Sequence, residues 1–380
     1  MPYQGRIMAI KENYPQRSLA FISLALGFLV IWTVVLAGIL VSRTLKEEGT
    51  AKQTTRVFSI HEDVGKISFA LGHELVSTVD WLLSQGSKEG QSKTDLYVVT
   101  WKTTDSVLRS VQETSTDRWV TSVLQVLDQV QVKLKKFRGT LTEESSPYNV
   151  VEFYLGLSNM ILNKCFILDY GQQLPVPSLS YTLFIQGMSQ RFGELALGTI
   201  YVKSDLPFNK TGYLSLREGS TQLMSTSFHF TPRARAKWAE LQEQEPGVER
   251  VLEMVAEDIL AGGQMRGGSE LAKAYLGGVT EEVAMLLLTK DVLNATLSSS
   301  IQRLSQRTHN TLAFHMSVCV VAVVAVIVCL IITGCAFRHI GQNQGNFINF
   351  NNTSSADCPE THDKAQILSG SGYFKPQCHL

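Results

Sequence analysis

The chain is expected to be all-α: an up-down helical bundle flanked by two transmembrane helices. Three observations predict this. Two long stretches near the ends are apolar, and the region between them carries apolar residues at three- and four-residue steps. No segment shows the sustained alternation of a half-buried strand. Of 380 residues, 34 are Lys or Arg and 34 are Asp or Glu, so no global charge points to nucleic acid.

Thr311 to Phe337 contains no Asp, Glu, Lys or Arg, and a hydrocarbon layer of roughly 30 Å needs about 20 such residues. Ser18 to Ser42 has the same character. Its apolar part is longer than the core of a signal peptide, so it reads as a retained anchor, and the chain as two-pass. Residues 1–17 are then a cytoplasmic lead without a fold of their own. Residues 43–310 are the working domain, and 338–380 a polar, disordered cytoplasmic tail.

Positive charges do not decide the orientation: Arg6, Lys11 and Arg17 precede the first span, and Arg43, Lys46, Lys52 and Arg56 follow it. Long loops translocate regardless of charge, and Asn209-Lys-Thr and Asn294-Ala-Thr are acceptor sequons in the loop. Asn351 and Asn352 also lie in sequons, in the tail. On balance the large loop is placed outside the cell, at the plasma membrane, with Asn209 and Asn294 as glycosylation sites.

Within the loop, Val57, Ile60, Val64, Ile67, Leu71, Leu75, Val79 and Leu82 form one stripe of a first helix. No proline interrupts the chain from Ser18 to Gly86, so this helix runs on from the first span. After a turn at GSKEGQ (86–91), Leu96, Val99, Val107, Leu108 and Val111 mark a second helix. Trp119, Val123, Val126, Leu127, Val130 and Leu134 mark a third, closed by Lys133, Lys135, Lys136 and Arg138, cations that suit the negative end of a helix dipole. Ser146-Pro147 opens a fourth, to about Tyr170.

Pro175 and Pro177 precede a fifth helix, Ser178 to Lys203; a sixth runs from Thr211 to about Ser227 and a seventh from Arg233 to Gln244. The eighth, Val248 to Ala261, ends at the linker GGQMRGG, which has neither the strand before it nor the Gly-Lys-Ser/Thr after it that a phosphate loop requires. From Val279, the residues Val283, Leu286, Leu293, Leu297, Ile301 and Leu304 carry a last helix into the second span.

Catalytic patterns are missing. His73-Glu74 has Ser77 where a zinc-binding second histidine would stand, and there is no CxxC, GxSxG or P-loop. We therefore expect no enzyme activity and no cofactor or metal. The basic group Arg233, Arg235 and Lys237 beside Trp238 reads as solvated surface. Cys165 is the one cysteine of the loop, either a small buried residue or a disulfide to a second chain; Cys319, Cys329 and Cys335 lie in the second span, and Cys358 and Cys378 beyond it. Cys335, at the membrane edge, is a lipidation candidate.

Four patches resemble the nitrate- and nitrite-sensing domain, an all-helical sensor of bacterial receptors, transcription antiterminators and some animal receptor guanylate cyclases. They are LGHELVSTVDWLLS (71–84), WKTTDSVLRSV (101–111), SLSYTLFIQGMSQRFGELALGTIYV (178–202) and YLSLREGSTQLMSTSFHF (213–230). The resemblance covers about residues 57–305. It implies a helical ectodomain that binds a small anion between its first and fifth helices and signals along helices fused to the membrane.

The family's pocket is thought to use two arginines, whose guanidinium forks match a planar oxyanion. The matching positions here read Glu74-Leu75-Val76 and Gly193-Glu194-Leu195-Ala196, without either arginine. His73 and Arg191 are the nearest substitutes and are the candidate ligand-binding residues. The 43 residues after Phe337 are too few for a cyclase or kinase, so output is expected through a homodimer or a heteromeric membrane partner. The alternative is a structural or adhesive protein with a degenerate pocket.

Overall fold

The computed structural model describes residues 4–84, 88–115, 121–142, 144–167, 176–263 and 270–353. Nine helices follow one another among them: α1 Gln4–Leu82, α2 Lys88–Ser115, α3 Thr121–Thr140, α4 Pro147–Ile167, α5 Val176–Lys203, α6 Lys210–Phe230, α7 Pro232–Gln244, α8 Pro246–Ala261 and α9 Glu270–Thr353. No strand occurs among the described residues. The chain divides into two compact units, Ser42–Ala313 on one hand and Met1–Val41 with Phe314–Leu380 on the other.

In the second of these units, parts of α1 and α9 are long and apolar enough to cross a membrane, and none of their most apolar stretch is buried. Phe21, Trp32 and Val321 are among the large apolar side chains left exposed there. Two expectations are corrected: residues 4–17 are the opening turns of α1, and 338–353 continue α9. Extending an existing helix adds one hydrogen bond per residue fixed and avoids the nucleation cost, so polar flanks are recruited where a bare segment would not be. Cys358, Cys378 and the rest of the tail from 354 lie outside the described residues, as does most of the 262–268 linker.

Unit Ser42–Ala313 is organised around α5. An amphipathic surface helix buries one stripe, whereas α5 buries most of its circumference, including Phe184, Ile185, Met188, Phe192, Leu195 and Ile200. Helices α4, α6 and α8 pack on it, and α1 and α9 reach it through glycine and aromatic contacts. A Cβ at Gly72 of α1 would fall on the Phe192 ring, and a Cβ at Gly198 of α5 on the Tyr275 ring of α9. At both crossings a hydrogen in place of a methyl group lets a fully buried aromatic ring seat against the opposite backbone.

Local chemistry sets the boundaries. Proline begins α4, α7 and α8, where its missing N–H leaves no bond unmade. Asn209 caps α6 by accepting from the Gly212 N–H at 2.9 Å. Gly262 ends α8 at φ 73°, with Gly263 N donating to Asp258 O at 2.9 Å. The expected first-helix stripe is buried from Ile60 to Leu82. The second helix is rotated from expectation: Val99 is 55% exposed, while Tyr97, Thr100, Thr104, Leu108 and Val111 face inward. Tyr97 takes the inward place by stacking on Trp81, ring centroids 4.2 Å apart.

Candidate functional site

Three charged groups are built into the helical body. The first is centred on Glu74, fully buried on α1. Arg138, from the end of α3, grips it with Nε on Oε1 and Nη2 on Oε2, each at 2.7 Å, and gives Nη1 to Asp105 at 2.7 Å. The Tyr154 hydroxyl donates to Glu74 Oε1 at 2.5 Å, and the Arg138 guanidinium lies 5.1 Å from the Trp101 ring centre. Burial opposes the charge on Arg138, but the hydrogen bonds and charge of Glu74 outweigh it and hold the guanidinium above its ordinary range. Arg138 stands in the last turn of α3, as the basic run at 133–138 suggested, and is in addition a buried counter-charge to Glu74.

The second group surrounds Arg191. Its Nε donates to Glu282 at 2.8 Å and its Nη1 to Glu194 at 2.6 Å; Arg217 bonds Glu194 at 3.2 Å and also pairs with Glu253. Burial again works against the Arg191 charge and the carboxylates of Glu282 and Glu194 override it, so it stays above its usual range. Nearby Tyr213 is pushed up to about 12, by burial and then by the charge of Glu194. Arg191 is therefore committed to two carboxylates.

The third group is a cavity of about 190 Å³ lined by Lys66 and His73 of α1, Thr100, Thr103 and Thr104 of α2, and Lys290 of α9, among others. No carboxylate among the described residues lines it. Lys290 is 7% exposed, with Asp291 at 3.0 Å and its Nζ 5.7 Å from the Phe69 ring centre. Lys66 pairs with Glu62 at 2.9 Å and with Asp63 at 3.5 Å. His73 is half-buried, and burial pulls its pKa below the ordinary value. The same histidine lines a second, more apolar cavity of about 400 Å³ with Val76, Tyr97, Leu276 and Val283.

The two residues singled out from sequence therefore part company: His73 lines these cavities on α1, and Arg191 lines a different one among α5–α9. The positions where the resemblance expects arginines, at and beside Leu75 and Ala196, are packed in the apolar core, at 1% and 0% exposure. Lys66 and Lys290 were not anticipated, although each leaves a signal. Lys66, Phe69, Ala70 and His73 share a helix face, and Lys290 interrupts the stripe Leu286–Leu293–Leu297.

Asn209 is exposed at its cap. Asn294 sits mid-helix, half-buried, with its side chain hydrogen-bonded to Glu62. Cys335 is exposed on α9, and Cys319, Cys329 and Cys335 are free thiols. Cys165 lies in α4, its side chain outside the described residues.

No family model and no curated protein matches the chain. Among solved structures it is similar to that of the NasR transcription antiterminator, with 13% identity over 76% of this chain and 83% of that one, at a TM-score of 0.53. At that identity the likeness is one of fold: the two proteins share a helical architecture over most of the length of each.

Proposed function

We propose that the chain is a two-pass plasma-membrane receptor whose extracellular up-down bundle senses a small anion and performs no catalysis. The observation that carries this reading is the cavity lined by Lys66, His73 and Lys290, whose charged lining is wholly cationic. Its size suits an ion of a few atoms, and the three threonine hydroxyls offer polar contacts beside the charges. Likeness in fold to a transcription antiterminator agrees with the resemblance to the nitrate- and nitrite-sensing domain.

Lys66 and His73 stand on α1 and Lys290 on α9, the two helices that also carry the apolar spans. An anion held between them favours whichever arrangement of the helices brings the cations together, and shifts the equilibrium by its differential affinity. Output then passes to a second copy or a membrane partner.

Calorimetry of the full chain in detergent micelles should show heat with nitrate or nitrite, and none after Lys290→Met. Silence with both anions and with small carboxylates would leave the scaffold reading, which the apolar filling around Leu75 and Ala196 favours.

Protonation gives a second check. Because burial lowers the His73 pKa, the folded chain binds fewer protons than the unfolded one near pH 6.5. His73 thus contributes stability that is complete above pH 6.5 and lost as pH falls through its lowered value. An anion beside it favours the imidazolium and opposes that loss. Nitrate should therefore raise the melting temperature more at pH 5.5 than at 7.5, with the difference absent in His73→Gln. An equal rise at both pH values would remove His73 from the site.

Orientation is tested by glycans. The chain expressed in animal cells should carry one N-glycan, removed by Asn209→Gln and unaffected by Asn294→Gln, whose side chain is occupied with Glu62. A chain with no glycan, whose loop also resists protease added outside the cell, would reverse the orientation.

A further inference from the structure

The cavity that Arg191 lines has the opposite chemistry. It encloses about 340 Å³ among α5, α6, α7, α8 and α9, within the range of small-molecule sites. One wall is aromatic: Phe228 and Trp238, ring centres 5.9 Å apart. Four carboxylates, Glu245, Glu249, Glu253 and Glu282, line it against two guanidiniums, Arg191 and Arg217. Both guanidiniums are taken, Arg191 by Glu194 and Glu282 and Arg217 by Glu194 and Glu253.

What is left over is negative. The side-chain carboxylates of Glu245 and Glu249 make no hydrogen bond or ion pair with any described residue, and both residues are exposed. Glu282 is 3% exposed, yet only its Oε1 is engaged, by Arg191; Oε2 accepts no hydrogen bond from a described residue. Glu282 lines the cavity, so Oε2 keeps acceptor capacity for a donor that enters it. The aromatic wall argues against a metal ion, and no group of three His, Cys, Asp or Glu among the described residues is placed to hold one. A positive charge on an organic body meets all three features: it lies against the face of Trp238, is neutralised by Glu249, and supplies an N–H to Glu282.

We propose that this cavity binds an organic ammonium ion that keeps at least one N–H and carries an apolar body. The site is separate from the Lys66–His73–Lys290 cavity and stands whether or not that one takes an anion. The test is calorimetry of the full chain in detergent micelles with 2-phenylethylammonium. Two controls accompany it: 2-phenylethanol, with the body but no charge, and tetramethylammonium, with the charge but no N–H.

The ammonium probe should bind at least tenfold more tightly than either control. Glu249→Gln and Trp238→Leu should each weaken it about tenfold, with helix content by circular dichroism unchanged. Glu249 is exposed and its carboxylate pairs with no described residue, so Gln, of nearly the same shape, isolates the charge. Parity with 2-phenylethanol would reduce the cavity to an apolar hole, parity with tetramethylammonium would remove the role of Glu282, and full affinity in Glu249→Gln would overturn the site; so would the absence of any heat with the probe.

Discussion

Replacing Arg138 with Met should destabilise the helical body by about 3–5 kcal/mol, the range for removing one partner of a buried ion pair. Met keeps most of the aliphatic stem, so the loss is electrostatic rather than a cavity. Glu74 is wholly buried, and Arg138 occupies both of its oxygens. Without the guanidinium, that carboxylate keeps only the Tyr154 hydroxyl, and an uncompensated charge in such a place is far more expensive than the intact pair is valuable. The double variant Glu74→Gln with Arg138→Met removes both charges and should recover more than half of the loss. Urea unfolding of the full chain in micelles, followed by tryptophan fluorescence, reads both. A single variant within 1 kcal/mol of the parent, or a double variant less stable than the single, would mean the pair is not the closed unit it resembles.

That pair also marks where sequence reading ends. Helix positions were legible because proline, glycine and the apolar period are local signals: α5 to α8 begin and end within a few residues of Pro175, Pro177, Pro207, Pro232, Pro246 and Gly262. Contacts between helices distant in sequence are not written locally. Arg138 sits in a run of cations that satisfies a helix terminus by itself, and only the fold brings it 64 residues back to Glu74. Arg191 and His73 were drawn together by their distance from the two family positions, but they leave their helices on different sides. Lys290 was hidden for a different reason: periodicity treats any lysine in a stripe as an exception, whereas its stem can pack while its charge lines a cavity. Val99 failed because Tyr97 offers more apolar area two residues earlier and fixes the rotation of α2 by stacking on Trp81.

Gly72→Ala sets two effects against each other and should be decided by the larger. In a helix interior alanine is favoured over glycine by about 0.8–1.0 kcal/mol. At Gly72 the added methyl would coincide with the Phe192 ring, a side chain with no exposed surface on the helix that is itself buried on most sides. A ring so enclosed has no free rotamer to retreat into, and forcing one methylene-sized group into a packed core costs about 1–3 kcal/mol or more. The net expectation is a loss, accompanied by a widened α1–α5 crossing. Phe192→Leu alone leaves a cavity and should also destabilise, but combined with Gly72→Ala the smaller side chain makes room for the methyl, so the double variant should be more stable than the sum of the singles. That positive coupling, measured by the same unfolding transitions, is the signature of direct contact. Strict additivity would place the two residues apart and, with them, the helix that bears His73 away from the core helix that anchors it.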